Sequence, residues 1–238
     1  MEIRQLYDEA SSTFSYLVWD TDSREAAIID PVQEQARRDI HLVWQLGLKL
    51  RYTLETHVHT DHITGSGHLR QVFNSIVVVH ENSNVRCADV LVKDGDFIPL
   101  GGARVNILHT PGHTGGDICY LIPGAVFTGD TLLVGSCGRT DCQSGDAGRL
   151  YDSIVQRLFV LPDATVVYPG HGVSARPASS IGAEKGSNAR IGNGRRRDEF
   201  ITLMNSLNPD PPERMHEALP SNLRCGNTLL GGTEQAFG

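Results

Sequence analysis

The run Thr56-His57-Val58-His59-Thr60-Asp61-His62 packs three imidazoles and a carboxylate into one short stretch. Ahead of it, Leu50-Arg51-Tyr52-Thr53-Leu54-Glu55 is rich in strand formers and reads as a β-strand feeding a loop. Side chains alternate along an extended backbone, so His57 and His59 leave the same side of the chain. A turn at Thr60 then folds Asp61 and His62 back toward the same point. The plain alternative is a solvated loop, but so dense a set of ligand groups at the mouth of a strand points to a metal site.

Three later segments repeat the pattern of a strand that ends in a ligand. Ile107-Leu108-His109-Thr110-Pro111-Gly112-His113-Thr114 reads as a strand, a Pro-Gly turn and a histidine. Val126-Phe127-Thr128-Gly129-Asp130 is a strand closed by glycine and aspartate, and Val166-Val167-Tyr168-Pro169-Gly170-His171 returns to the Pro-Gly-His ending. Glycine at such corners lets the backbone turn sharply beside a ligand. Functional groups gathered where strands give way to loops are the usual arrangement on a rigid scaffold. His41 and His68 on expected helices, His80 and His109 in strands, and His216 near the C-terminus read as packed or surface residues.

Between these motifs the chain alternates strands and helices. A hairpin joins residues 13–19 and 26–30 around Asp22-Ser23, and Pro31 ends it. Ala36, Ile40, Val43 and Trp44 give residues 34–46 a helical stripe, with Gly47 at its C-terminal end. A helix over 65–73 leads to a strand at 76–79. Further strands are expected at 105–108, 118–122, 125–128 and 165–168, with a helix over 148–159 before the last. Strands apolar on both faces, interrupted by amphipathic helices, imply a sheet covered by helices. Past His171 the chain is polar and glycine-rich as far as Gly194. A helix over 195–207 is expected to bury Phe200, Ile201, Leu203, Met204 and Leu207, and residues 209–212 break it. A short helix over 213–219 follows, and the tail from Gly231 frays.

With 238 residues the chain suits one sizeable domain and a small C-terminal extension. A net charge of −7 argues against nucleic acid and anionic membrane as partners, so an anionic substrate must meet a local basic patch. No apolar stretch approaches the ~20 residues of a membrane span. The five cysteines are odd in number and form no CxxC pair. That pattern predicts no disulfide framework, with Cys87, Cys119 and Cys225 as packing residues and a reducing cytoplasm as the compartment. The first residues have neither secretory nor transit-peptide character.

The ordered set HxHxDH, TPGHT, TGD and YPGH resembles the ligand motifs of the metallo-β-lactamase superfamily over about residues 13–171. The resemblance implies an α/β architecture, an αββα sandwich with two sheets face to face, helices outside and a site along one edge. Residues 1–173 then form the metallo-β-lactamase-fold domain, and 174–238 a helical extension packed against the active-site face. Fold alone does not give function, so flanking residues narrow the choice. His62-Ile63-Thr64-Gly65-Ser66-Gly67 and Cys137-Gly138-Arg139-Thr140-Asp141 resemble the persulfide dioxygenases, as do segments 179–185, 188–190 and 218–226. Glyoxalase II enzymes, the rival group, carry Gly-Gly-Asn after the Asp-His pair and Phe-Glu after the Gly-Arg, and neither stands here. Gly172-Val173 replace that family's Asp-aromatic pair, Ser136 a glycine and Ala189 a proline. These departures bear on substrate affinity.

Carried over position by position, the resemblance implies that His57, His113 and Asp130 hold one Fe(II) per chain. Two imidazoles and a carboxylate on one face of an octahedral ion suit non-haem iron and leave positions for substrate sulfur, dioxygen and water. His59, Asp61, His62 and His171 then act around the ion by hydrogen bonding, with Asp61 orienting a water. The implied reaction oxidises glutathione persulfide, with dioxygen and water, to sulfite and glutathione. Glutathione carries two carboxylates, so cations belong near the metal. Arg139 and Arg190 are the candidates by motif position, followed by Arg176 and Lys185. Cys137 either supports this loop or is an ordinary buried thiol. The alternative is a glyoxalase-II-like hydrolase of S-acylglutathione thioesters, in which the same residues hold two metal ions. The oligomeric state stays open between a monomer and a homodimer.

Overall fold

The computed structural model describes residues 1–172 and 177–226. Two six-stranded mixed sheets pack face to face. The first takes its strands in chain order: β1 (Glu2–Asp8), β2 (Thr13–Trp19), β3 (Glu25–Ile29), β4 (Lys49–Leu54), β5 (Ile76–His80) and β6 (Val90–Val92). Helices α1 (Ala36–Gln45) and α2 (Ser66–Phe73) cross over between β3, β4 and β5, which run parallel. The second sheet comprises β7 (Phe97–Leu100), β8 (Ala103–His109), β9 (Ile118–Ile122), β10 (Ala125–Gly129), β11 (Val166–Pro169) and β12 (Ser179–Ser180). Its one parallel pair is β10–β11, whose connection carries α3 (Ala147–Ser153). Then come α4 (Ile181–Ser187), α5 (Arg197–Ser206) and α6 (Met215–Asn222).

Alternation along the strands builds three apolar layers. Phe14, Tyr16 and Val18 point between the sheets and meet Ile107, Tyr120 and Phe127. Their neighbours Leu17 and Trp19 point outward, under Ile40 and Val43 of α1 and Leu69 of α2. On the opposite outer face, Val126 and Val167 lie beneath Leu150, Ile154, Phe200 and Met204. Each large apolar side chain buried this way contributes about 1.5–3 kcal/mol, which explains why the central strands are apolar on both faces. The result is the αββα sandwich that the motif order implies.

Several details differ from the sequence reading. Strands β1, β6, β7 and β12 carry no mark that the apolar pattern reveals, because the first three expose part of their length and β12 is two half-buried serines. The last long helix buries Phe200 and Met204 only. Leu207 is exposed because the helix ends before it. The segment beyond residue 176 is bound into the sandwich: β12 pairs with β11, and Ile181, Phe200 and Met204 join the core under α3. The expected fraying from Gly231 lies outside the described residues.

Cys87 and Cys225 form a disulfide across a sequence separation of 138. This corrects their reading as unpaired packing residues. Spacing along the chain does not report distance in space, and an odd count is compatible with one bridge. With that bridge present, the cysteine count no longer argues for a reducing compartment. Cys119 and Cys137 are buried and free, and Cys142 is half-buried and free. No helix among the described residues is long and apolar enough to cross a membrane.

Candidate metal centre

The loops that follow β3, β4, β8, β10 and β11 meet at one edge of the sandwich, and Asp30 anchors them. Fully buried, it accepts hydrogen bonds from the backbone N–H and the hydroxyl of Thr56, both at 2.7 Å. The Thr56 hydroxyl oxygen lies 2.9 Å from Nδ1 of His57 and accepts its proton, which leaves Nε2 of His57 as the lone-pair nitrogen. Burial first, then the neighbouring His59, push His57 well below the usual imidazole range, so it is neutral, as a ligand must be. His113 donates Nδ1–H to the carbonyl of Arg139 at 2.8 Å, and its Nε2 lies 3.6 Å from Oδ2 of Asp130. His57, His113 and Asp130 each bring a ligand atom within 4.8 Å of the others.

A second trio, His59, Asp61 and His62, meets the same distance criterion. The His59 ring lies 4.1 Å from that of His57 and 4.3 Å from that of His62. Its Nε2 faces Oδ1 of Asp30 at 3.2 Å and Oε2 of Glu55 at 3.5 Å. Glu55 accepts in turn from the hydroxyls of Thr64 and Ser66 through its other oxygen. Nδ1 of His59 and Nε2 of His62 are buried without a hydrogen-bond partner among the described residues. Such orphaned nitrogens are costly unless a ligand takes them, so this second trio also fits a metal ion.

His171 spans the two trios. Its Nδ1 lies 2.6 Å from Oδ1 of Asp130 and its Nε2 lies 2.9 Å from Oδ2 of Asp61. Burial pulls its pKa down, but the two carboxylates outweigh that and hold it well above the usual imidazole value. Burial raises Asp61 and Asp130 likewise, yet His171 and the neighbouring rings keep both carboxyls well below the ordinary range. Asp61 also accepts from the Thr13 hydroxyl at 3.1 Å and from Nδ1 of His62 at 2.8 Å. All three bonds fall on Oδ2.

A cleft of about 430 Å³ opens beside Asp130, with Cys137, Arg139, Arg190, Met204 and Pro209 in its walls. Arg190 spends one N–H on the carbonyl of Cys137 at 2.7 Å. Arg139 is more committed. It chelates Asp141 at 2.8 and 2.7 Å and donates to the carbonyls of Asp210 at 2.7 Å and Pro209 at 3.3 Å. Lys185 pairs with Asp163 and does not line the cleft. Arg176 and Val173 lie outside the described residues. Sequence reasoning missed Asp30, Glu55, Thr13 and Asn222. Asp30 and Glu55 carried a signal, since each directly follows a strand as Asp130 does.

The sequence profile of the metallo-beta-lactamase superfamily matches residues 9–171. Human mitochondrial persulfide dioxygenase ETHE1 is 40% identical over 226 residues, which cover 94% of this chain and 88% of the relative. A probable metallo-hydrolase of Burkholderia pseudomallei is 30% identical over 278 residues, covering 95% of this chain and 93% of its own. The crystal structure of ETHE1 from Myxococcus xanthus superposes with a TM-score of 0.93 at 47% identity, over 95% of this chain and 100% of that one. The chain therefore belongs to the metallo-beta-lactamase superfamily and, within it, to the persulfide dioxygenase family.

Proposed function

We propose that this protein oxidises glutathione persulfide with dioxygen at a single ferrous ion held by His57, His113 and Asp130. The observation that carries the reading is a two-histidine, one-carboxylate trio at the head of a cleft bearing Arg139 and Arg190. Glutathione persulfide, dioxygen and water would become glutathione, sulfite and two protons. The persulfide dioxygenase relatives support this reaction class. Iron(II), when bound, supplies the redox chemistry that dioxygen needs and that zinc lacks.

The chain's own groups fit the remaining tasks. Thr56 and the Arg139 carbonyl hold the proton on Nδ1 of His57 and His113 and turn each Nε2 to the ion. Oδ1 of Asp130 is spent on His171, which leaves Oδ2 as its ligand oxygen. Asp61 keeps Oδ1 free of protein hydrogen bonds among the described residues, so it can accept a hydrogen bond from a water beside the site and orient it. Arg190 has donors left for a substrate carboxylate, while Arg139 holds the 209–210 wall of the cleft. Metal counting distinguishes one ion at this trio from a second at His59, Asp61 and His62, whose orphaned nitrogens would suit it.

Anaerobic loading with Fe(II), followed by metal counting and oxygen-electrode measurements with glutathione persulfide, tests the reading. One iron per chain and sulfite formed in step with oxygen consumed are expected. Hydrolysis of S-lactoylglutathione with no oxygen uptake would sink it.

A further inference from the structure

The C-terminal helix reaches the metal loop through one side chain. Asn222, at the end of α6 and 4% exposed, donates to the carbonyls of His59 at 2.9 Å and His62 at 2.8 Å. Its side-chain oxygen accepts from the backbone N–H of Thr64 at 2.8 Å. Both amide hydrogens and the carbonyl are therefore spent on one stretch of backbone. No other side chain among the described residues bonds the carbonyls of His59 or His62. This stretch carries His59, Asp61 and His62 and lies outside any helix or strand, so Asn222 replaces the support that regular structure gives elsewhere.

The position of Asn222 is fixed from behind. Cys225, one turn further on, is bridged to Cys87 on the segment between β5 and β6. The Cys225 carbonyl also accepts from the N–H of Gly67 in α2 at 2.9 Å. A cavity of about 10 Å³ lies between this bridge and the imidazoles, bordered by His57, His59, Asn222 and Cys225.

We propose that Asn222 is the positioning residue of the metal loop and that the Cys87–Cys225 disulfide keeps it in register. The inference rests on the proposed iron site and reaches it through Asp61 of this loop, whose partner His171 holds the ligand Asp130. An aspartate at position 222 keeps the shape but loses both donors and sets a carboxylate against two carbonyl oxygens. Cys87→Ser removes the bridge without touching the loop.

The test measures Co(II) affinity of the metal-free full chain by chelator competition, the visible Co(II) spectrum, and circular dichroism as a check of fold. Asn222→Asp should weaken affinity by about 10–100-fold and shift the Co(II) bands. Cys87→Ser should act in the same direction by less. In the iron-loaded enzyme, Asn222→Asp should lower kcat and leave the KM for persulfide unchanged, since Asn222 does not line the cleft. A folded Asn222→Asp protein with wild-type affinity and spectrum would overturn the proposal. If that variant does not fold, Cys87→Ser decides, and unchanged affinity overturns it. Co(II) binding does not depend on the reaction, so a wild-type chain that consumes no oxygen would end the functional reading while leaving this inference to stand or fall on affinity.

Discussion

The Nδ1–H of His113 and the backbone carbonyl of Arg139 lie 2.8 Å apart, so the loop that carries a cleft arginine also sets the tautomer of a metal-facing imidazole. Removing the ring should cost the ion more than the fold, because His113 belongs to none of the apolar layers. For His113→Ala we expect iron content near zero with an unchanged circular dichroism spectrum. Stoichiometric iron in the purified variant would remove His113 from the ligand set.

Arg190 and Arg139 share the cleft but have different donors to spare. Arg190 gives one N–H to Cys137, whereas Arg139 is engaged by Asp141 and two carbonyls of the wall. Losing one charge-assisted bond of about 1.5–3 kcal/mol predicts that Arg190→Ala raises the KM for glutathione persulfide by roughly 10–100-fold, with a smaller effect on kcat. Steady-state oxygen uptake over a range of persulfide concentrations measures it. An unchanged KM would exclude Arg190 from substrate binding.

The trio His57, His113 and Asp130 is legible in the sequence because each member follows an apolar strand, and strand ends share an edge in a sandwich. How the other ligand-type residues divide their work is not legible. His171 meets Asp61 across a separation of 110 residues, and nothing local announces that contact. The same holds for Asn222 on His59 and for Cys87 on Cys225, pairings that exist only once the C-terminal segment has folded back. The missed strands fail for a different reason. β1 breaks the alternation at Arg4-Gln5 and Leu6-Tyr7, and β6 exposes two of its three residues. Edge strands with one wet face give the apolar pattern little to detect.

Gly138 is placed so that its missing side chain matters to the site. A Cβ there would lie 2.4 Å from the carbonyl oxygen of Asp130 and 3.0 Å from the His113 ring. Gly138→Ala must therefore push the two ligand-bearing segments apart, at an overpacking cost of about 1–3 kcal/mol. We expect a lower melting temperature and weaker metal binding together, with Ser136→Ala as the control in the same loop. A variant that matches wild type in both would show that the segments separate freely.

Asp39 offers a stability test away from the metal. It is buried on α1, with Oδ1 accepting from Nε of Arg38 at 2.8 Å and Oδ2 unpartnered among the described residues. Burial outweighs the attraction of Arg38 and raises its carboxyl from 3.8 to about 6. Between these values the folded chain keeps a proton that the unfolded chain has lost. Stability from this group is therefore present at low pH, falls as pH rises through the window, and stays lost above it. Such a shift corresponds to about 3 kcal/mol. Asp39→Asn, which needs no ionisation, should gain roughly that amount over wild type near neutral pH and almost nothing near about pH 4. Denaturant unfolding of both proteins at the two pH values gives the difference directly. An equal gain at both would mean that the asparagine acts through packing and not through charge.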